Sequence, residues 1–193
     1  MTFQNEFTTT LPTLIPRQLA LPPRLFVEDE SRFGLLPVIR RRITLKGVKP
    51  IQPIQHVFEN YYLYGAVEPS SGAAFFLEMP FLDSQCYQIY LNEFSRWASD
   101  SFNIMVLDNG SFHKAKGLII PENVALLFLP PYSPELNPIE RLWEYIKDQI
   151  AGKLFQNLDS LKDEVAKVIK RLSKKMIASL TGYPYILQAA NAL

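Results

Sequence analysis

The sequence predicts an α/β protein with a mixed central sheet flanked by helices. Two observations support this fold class. Short apolar runs bounded by turn residues dominate the first half, and apolar runs alternate with amphipathic helical patterns in the second half. Strands that follow one another directly form an antiparallel meander, whereas strands separated by helices pair in parallel through crossover connections. The order of the elements therefore predicts both kinds of pairing in one sheet.

The strands are expected at apolar runs that end in polar or turn residues. The run Leu25–Val27 predicts a buried strand that ends at the acidic triplet 28–30. The turn Pro69–Gly72 lies between two apolar runs and predicts a hairpin with arms Tyr61–Val67 and Ala73–Leu77. The other strand candidates, of which the first two are weaker, are Arg42–Val48, Gln55–Phe58, Phe102–Leu107 and Val124–Leu129.

Helices are expected where apolar residues recur every three or four positions. Asp83 or Ser84 caps the first such pattern, which contains Cys86 as a small buried group and continues to Ala98. A second helix opens at Asn137-Pro138-Ile139-Glu140, and a last helix is expected from about Asn157 to Leu180.

Length and composition exclude several classes of protein. With 193 residues, 48% of them hydrophobic and 20% charged, the chain has the size and composition of one globular domain. A single cysteine excludes an internal disulfide framework and a multi-cysteine zinc site. The sequence has neither a secretory signal nor an apolar stretch of the roughly 20 residues that a membrane helix needs. We therefore expect a soluble, cytoplasmic protein that does not bind a membrane.

Three acidic residues stand where a strand ends or a helix begins: Asp29, Asp108 and Glu140. Each also has a purely structural interpretation. Asp29 can belong to a solvated strand end, and Asp108 begins a turn with Asn109 and Gly110. Glu140 stands three residues after Asn137, which is the spacing of a capping box.

Taken together, the three acids suggest a metal site. Aspartates at the ends of central strands can converge, and a glutamate on a helix packed across the sheet can reach the same point. Mg²⁺ prefers a few carboxylates with water and substrate phosphate. Two such ions about 4 Å apart can activate a nucleophile and stabilise the leaving oxygen at a phosphodiester. The sequence has no Gly-rich phosphate loop, no GxSxG and no HExxH motif that would indicate other chemistry.

Three stretches in this chain match one known family in the same order. The block 129–140, LPPYSPELNPIE, followed by Leu142-Trp143, resembles the signature of DDE transposases of the mariner-like insertion-sequence superfamily. The stretch 108–113 resembles the second-aspartate motif of that family, and 26–33 resembles its first. The resemblance spans about residues 25 to 150.

The resemblance implies a ribonuclease-H-like fold and metal-dependent DNA cleavage followed by strand transfer. It implies two Mg²⁺ or Mn²⁺ ions held by the catalytic residues Asp29, Asp108 and Glu140. By the resemblance, Asn109, His113 and Asn137 have supporting roles: they touch DNA or orient a carboxylate. The structural alternative is that Asn109 is a turn residue and that the other two cap helix starts. It also implies DNA as partner, at transposon ends and target, with a homodimer in the active complex and association with the nucleoid.

Two departures from the family pattern shape the remaining expectations. Asp108 and Glu140 are separated by 31 residues, fewer than is usual in the family, so the helix expected in Lys114–Asn123 should be short. Nothing before Leu25 resembles the helix-turn-helix that recognises transposon ends, so we expect that half to be supplied separately. The expected division is an irregular leader over 1–24, the catalytic domain over 25–152 and a C-terminal helical extension packed on the core over 153–193.

These departures leave other functions open. The alternative is a truncated, non-catalytic remnant that acts as a DNA-binding or interaction protein, and a further one is another nuclease on the same fold. The net charge of +1 does not indicate a dedicated DNA-binding module. Two basic runs are candidates for phosphate contacts, and a solvated surface is the alternative interpretation: Arg40, Arg41, Arg42, and Lys167, Lys170, Arg171, Lys174, Lys175.

Overall fold

The computed structural model describes residues 7, 10–16, 21–40, 43–49, 51 and 54–193. Its centre is a five-stranded sheet in the order β3-β2-β1-β4-β5. β1 pairs antiparallel with β2 and parallel with β4, which confirms the mixed sheet. The strands are β1 Pro23–Gly34, β2 Asn60–Val67, β3 Ala74–Met79, β4 Phe102–Leu107 and β5 Val124–Phe128.

Helices cover both faces of the sheet. α1 lies against one face, and the later helices pack on the other. Within the described part of the chain, no helix is long and apolar enough to cross a membrane. The helices are α1 Ser84–Trp97, α2 Ile139–Ile150, α3 Leu158–Arg171, α4 Lys174–Thr181 and α5 Pro184–Ala190, with short 3₁₀ turns at Leu11–Leu14, Ser111–Lys114 and Pro134–Leu136.

The strand β1 is longer than the sequence pattern predicts. It does not end at the acidic triplet but continues to Gly34, because β2 pairs with it from Val27 to Gly34. The backbone N–H and C=O groups of this polar part of β1 find hydrogen-bond partners on β2, so the strand continues although its side chains are polar. The two weaker strand candidates were wrong: the described residues 43–49 and 54–58 contain no strand, and Arg42 lies outside the described residues.

The helical predictions hold for α1 and α2 and differ from the structure in two places. Asp83 caps α1 by accepting a hydrogen bond from the Cys86 backbone N–H at 2.8 Å, and Cys86 is buried. The expected long C-terminal helix is instead two helices, α3 and α4. The Ser173 side chain accepts a hydrogen bond from Met176 N at 3.2 Å and starts α4 as a new helix. In the shortened segment after Asp108, the structure has only the 3₁₀ turn Ser111–Lys114.

Alternation along β1 sends successive side chains to opposite faces of the sheet. Leu25 and Val27 join the core beneath α2, whereas Phe26 joins the aromatic core beneath α1. The same parity directs Asp29 toward α2 and directs Glu28 and Glu30 toward α1. The acidic triplet is therefore divided between two environments.

The chain segments on either side of the sheet domain also contribute to the core beneath α2. Phe7 and Leu11, within the expected leader, are buried there, and β1 already begins at Pro23. Leu161 of α3 and Ile186 of α5 are buried in the same core.

Candidate active site

The parallel pairing of β1 with β4 brings two aspartates to the same end of the pairing. Val27 is the register partner of Val106, and Asp29 and Asp108 each lie two residues beyond that pair. Because parallel strands run in the same direction, both aspartates lie at the same end of the pairing. This is the edge where ligands gather in open α/β sheets.

Asp29 is held in place by a residue from α2. The indole Nε1 of Trp143 donates a hydrogen bond to Asp29 Oδ2 at 2.9 Å. Burial raises the pKa of Asp29 well above its usual value, and the nearby carboxylates of Glu30 and Glu140 raise it further. Asp29 is therefore a half-buried carboxylate that neighbouring carboxylates repel, and it is not the solvated strand end of the structural interpretation.

Trp143 can reach Asp29 because Gly65 has no side chain. Gly65 on β2 is the register partner of Asp29. A Cβ atom at this position would lie 2.6 Å from Cη2 of Trp143, which is closer than such atoms ever approach. The indole thus lies over the strand next to Asp29, in space that any other residue would occupy.

Glu140 stands one turn before Trp143 on α2 and is exposed. Partial desolvation raises its pKa, Lys147 opposes this, and the carboxylates of Glu144 and Asp108 raise it further. The capping box suggested by the sequence does not form, since the Asn137 backbone N–H donates to Pro134 O at 2.9 Å. The Glu140 carboxylate is therefore not used as a helix cap.

Asp108 is exposed and is fixed by two contacts. Its Oδ1 accepts a hydrogen bond from Gly110 N at 2.8 Å and lies 3.0 Å from Nδ1 of His113. The hydrogen bond with His113 is the largest cause that holds the pKa of Asp108 below its usual value. The expected turn at 108–110 therefore exists, and Asp108 keeps its negative charge within it.

The three residues expected to support the acids, Asn109, His113 and Asn137, have partners within the fold. Asn109 Nδ2 donates to the carbonyl of Leu129, and Lys114 donates to Asn109 Oδ1. Asn137 Nδ2 donates to the Glu28 carbonyl at 2.8 Å, which ties the start of α2 to β1. His113 is only 3% exposed. These contacts favour a role in orienting the site over direct contact with DNA.

A second group of metal-ligating side chains lies on the other face of β1. Among the residues that the structure describes, Glu28, Glu30 and His113 are the group whose ligand atoms lie within 4.8 Å of one another, so the carboxylates of Asp29, Asp108 and Glu140 are not as tightly grouped. Sequence reasoning missed the two glutamates, although their spacing of two on a strand places them on one face.

An open cleft of about 450 Å³ begins at Asp108. Its wall is the loop Leu129–Pro134. Tyr132 in this loop has a φ of 57°, the one positive φ at a non-glycine residue in the described part of the chain, and its side chain is fully exposed. A left-handed tyrosine costs free energy, and such strain concentrates at functional sites.

Two described residues of the basic runs have contacts that place them in the fold. Arg40 is paired with Asp148 near the end of α2 at 2.5 Å, whereas Arg41 and Arg42 lie outside the described residues. The backbone of Lys174 touches Gly72 in the β2–β3 turn, next to the Glu68–Arg24 ion pair. Arg24 precedes Asp29 by five residues, or about 16 Å of strand. The exposed members of the second run are Lys167, Lys170, Arg171, Lys174 and Lys175.

Comparison with known sequences identifies the family. The model of the DDE superfamily endonuclease family matches residues 24–162. The uncharacterized protein y4pE/y4sA of Sinorhizobium fredii is 35% identical over 102 residues, which cover 52% of this chain and 76% of that protein. The transposase of the transposable element Tcb2 of Caenorhabditis briggsae is 25% identical over 166 residues, which cover 79% of this chain and 61% of that protein.

Solved structures share the fold. The chain is similar to the Mos1 strand transfer complex with a TM-score of 0.68 at 16% identity, covering 98% of this chain and 59% of that chain. Its similarity to the Mos1 mariner paired end complex with Mn has a TM-score of 0.66 at 17% identity, with the same coverage. The ribonuclease-H-like fold is thereby confirmed, and the chain spans about three fifths of the length of these Mos1 chains. Because the family model covers well over half of its residues, the chain belongs to the family of DDE superfamily endonucleases.

Proposed function

We propose that this chain is the catalytic domain of a transposase that cleaves DNA and transfers the cut strand into target DNA. Asp29, Asp108 and Glu140 hold two Mg²⁺ or Mn²⁺ ions. The observation that carries the proposal is the register of β1 with β4, which brings the two aspartates to one edge within a chain of the DDE family. Trp143 supports it, because its bond to Asp29 draws the helix that carries Glu140 toward the same edge.

The donor set suits hard divalent cations. All three candidate ligands are carboxylates, and oxygen ligands of this kind are those that Mg²⁺ and Mn²⁺ prefer. The carboxylate of Glu140 raises the pKa of Asp29, and that of Asp108 raises the pKa of Glu140. Such repulsion between like charges is what a bound cation relieves. When bound, two ions would polarise the scissile phosphate and lower the pKa of the attacking water or 3′-hydroxyl.

The chain's own residues prepare this site. Trp143 orients Asp29 from below the sheet, and Gly110 with His113 orients Asp108. Asn137 fixes the start of α2 on β1, which positions Glu140. We infer that the cleft beside Asp108 receives the DNA next to the scissile phosphate and that the exposed ring of Tyr132 stacks on a base there.

The partners follow from the same proposal. DNA is the substrate, in the form of transposon ends and target, and the active complex is a homodimer. A helix-turn-helix half recognises the ends. One Mos1 structure of this fold is a transposase paired-end complex with the left transposon end. The chain spans about three fifths of the Mos1 chains, which leaves room for such a half in those relatives. We propose that the basic runs add contacts to DNA phosphates.

The test begins with metal binding, which does not depend on DNA recognition. Mn²⁺ affinity is measured by titration calorimetry for the wild type and for Asp29→Asn, Asp108→Asn and Glu140→Gln. Glu135→Gln is the matched control, since Glu135 is an exposed acid in the neighbouring loop. We expect each of the three substitutions to weaken binding by at least about tenfold and the control to leave it unchanged.

Cleavage then separates the catalytic domain from a non-catalytic remnant. Nicking of plasmid DNA is measured with Mn²⁺ and without it, and again after adding the helix-turn-helix half of a family member. Nicking that requires Mn²⁺ and all three carboxylates supports the proposal. A wild-type chain that binds DNA but does not bind Mn²⁺ and does not cleave DNA would show that the chain is a non-catalytic remnant.

A further inference from the structure

His113 lies between two carboxylates, one buried and one exposed. Its Nε2 is 3.0 Å from Glu30 Oε1, and its Nδ1 is 3.0 Å from Asp108 Oδ1. The side chains of His113 and Glu30 are 1% and 5% exposed, whereas that of Asp108 is 58% exposed. The three side chains thus form a continuous connection from the interior beneath α1 to the open edge of the sheet.

We infer that Glu30 and His113 are positioning residues, which together fix the Asp108 carboxylate in the orientation that binds metal. This inference rests on the proposed role of Asp108 as a metal ligand. A histidine whose two ring nitrogens both face carboxylate oxygens can donate from each. Rotation of the ring would break the hydrogen bond between Nε2 and Glu30 and would move Nδ1 out of its 3.0 Å contact with Asp108. Glu30 therefore holds the ring that faces Asp108.

Packing strengthens the same constraint. The ring of Tyr87 lies 4.5 Å from the imidazole, and the ring of Phe112 lies 4.1 Å from it, measured between centroids. Asp108 stands just beyond the end of β4 on an exposed turn, where a side chain would otherwise rotate freely. A carboxylate held in one rotamer loses less entropy when it binds a metal ion, and residues behind a metal ligand commonly have this role.

The same cluster could be taken for a cation site, because Glu28 also approaches the imidazole. The geometry favours the hydrogen-bonded arrangement for two reasons. Both His113 nitrogens are already at hydrogen-bond distance from carboxylates, and Glu28 Oε2 is 3.9 Å from Nε2, too far for such a bond. Neither oxygen of Glu28 has a hydrogen-bond partner although the residue is fully buried. Glu28 therefore serves as the comparison: it is a buried acid on the same strand and face that approaches the imidazole without forming a hydrogen bond to it.

The connection itself can be observed by NMR without any metal. The chain has two histidines, and the other, His56, is exposed, so ring ¹⁵N labelling of wild type and His56→Gln assigns both. We expect two slowly exchanging ring N–H protons on His113. Asp108→Asn should shift the Nδ1 proton, Glu30→Gln should shift the Nε2 proton, and Glu28→Gln should leave both in place. Ring protons that exchange as fast as those of His56 would overturn the inference.

The effect on the metal is measured as Mn²⁺ affinity and as the number of ions bound per chain. We expect Glu30→Gln and His113→Gln to lower the affinity by roughly 10- to 100-fold. His113→Asn should restore only part of it, because its shorter amide can donate from the position of Nδ1 but does not reach Glu30. Glu28→Gln should bind like the wild type, and thermal unfolding shows that each variant is folded.

The other outcomes of the Mn²⁺ measurements separate the positioning role of Glu30 from a cation site and from the proposed function. Equal Mn²⁺ affinity in Glu30→Gln and Glu28→Gln would overturn the positioning role of Glu30. Loss of one bound ion in both variants would make the cluster a cation site and overturn the inference. A wild-type chain without any Mn²⁺ affinity would overturn the proposed function and the role in metal binding together. The NMR signals of His113 distinguish that result from a failure of the connection alone.

Discussion

Trp143 on α2 donates its indole N–H to the carboxylate of Asp29 on β1, 114 residues away in sequence. The bond joins the helix that carries Glu140 to the strand that carries Asp29. Trp143 is 1% exposed and its ring also packs against Phe76, with 6.0 Å between the centroids. A residue of the hydrophobic core therefore aligns two acids of the site.

Replacing Trp143 with phenylalanine tests this relationship. The change removes the hydrogen bond to a buried carboxylate and leaves space in the core, so the free energy of unfolding should fall by about 2 to 3 kcal/mol. Mn²⁺ affinity should fall about tenfold, since Asp29 and α2 lose their connection. Denaturant unfolding and calorimetry measure the two effects. Trp97→Phe is the control, because Trp97 is 43% exposed and packs on Phe26 and Phe75 beneath α1, on the other face of the sheet from Trp143. An equal loss of affinity in both variants would contradict the assignment.

A methyl group at Gly65 should disturb the same contact from the neighbouring strand. In Gly65→Ala, the added Cβ would meet the Trp143 ring at 2.6 Å and push the indole away from Asp29. We expect a loss of about 1 to 3 kcal/mol in unfolding free energy and weaker Mn²⁺ binding. Gly117→Ala is the matched control, because nothing lies within 4 Å of a Cβ there. A Gly65→Ala variant with wild-type stability and metal affinity would show that the indole does not need this space.

Tyr132 should matter for DNA and not for folding. Asparagine tolerates the left-handed conformation, so Tyr132→Asn should change the free energy of unfolding by less than about 1 kcal/mol. Loss of a stacking ring should weaken DNA binding by about 1 to 3 kcal/mol. Tyr132→Phe keeps the ring and should bind DNA like the wild type. Fluorescence anisotropy at one fixed salt concentration measures this, and equal affinity of all three proteins would remove Tyr132 from the interface.

The Arg24–Glu68 ion pair should make stability depend on pH. Arg24 donates to both oxygens of Glu68 at 3.1 and 2.8 Å. Burial alone would raise the pKa of Glu68, but the bonds from Arg24 and Ser71 outweigh it and lower the pKa. The unfolded chain therefore takes up the proton first as pH falls. The stabilisation is complete above the ordinary glutamate pKa of about 4.3 and disappears as pH falls through the folded value.

Glu68→Gln should accordingly destabilise the protein by about 1 to 3 kcal/mol at pH 7. The difference from wild type should shrink between about pH 5 and pH 3, measured by urea unfolding across that range. Glu78→Gln serves for comparison, because its pairing with Lys162 at 3.7 Å is exposed, and its effect should stay below about 1 kcal/mol. A difference for Glu68→Gln that is constant with pH would contradict this account.

The second basic run should affect DNA affinity but not metal affinity. Lys170 and Arg171 are exposed at the end of α3, shortly before Lys174, whose backbone touches the β2–β3 turn. Reversing both charges to glutamate should weaken DNA binding and lower the slope of log affinity against log salt by about 0.9 for each lost phosphate contact. Arg96→Glu is the control, since Arg96 is exposed on α1 and paired with Glu93. An unchanged slope would assign the run to a solvated surface.

Much of the fold followed from local pattern. The sequence predicted five features close to their observed positions: the hairpin, the strands β4 and β5, and the helices α1 and α2. Strand and helix periodicity is visible in a few consecutive residues, so it can be recognised without the fold. The extent of β1 and the break at Ser173 were not predicted. Pairing with a distant strand determines the first, and a local cap that competes with continued helical periodicity determines the second.

The sequence by itself determined the order of the elements, the family motifs and the three acids as candidates for a metal site. Only the tertiary structure decided how those acids are held. It divided the triplet at Asp29 between two faces, brought Trp143 over Gly65, and placed Glu30 behind His113. Burial and hydrogen bonding between residues tens of positions apart depend on packing in three dimensions. A pattern of neighbours along the chain cannot contain that information.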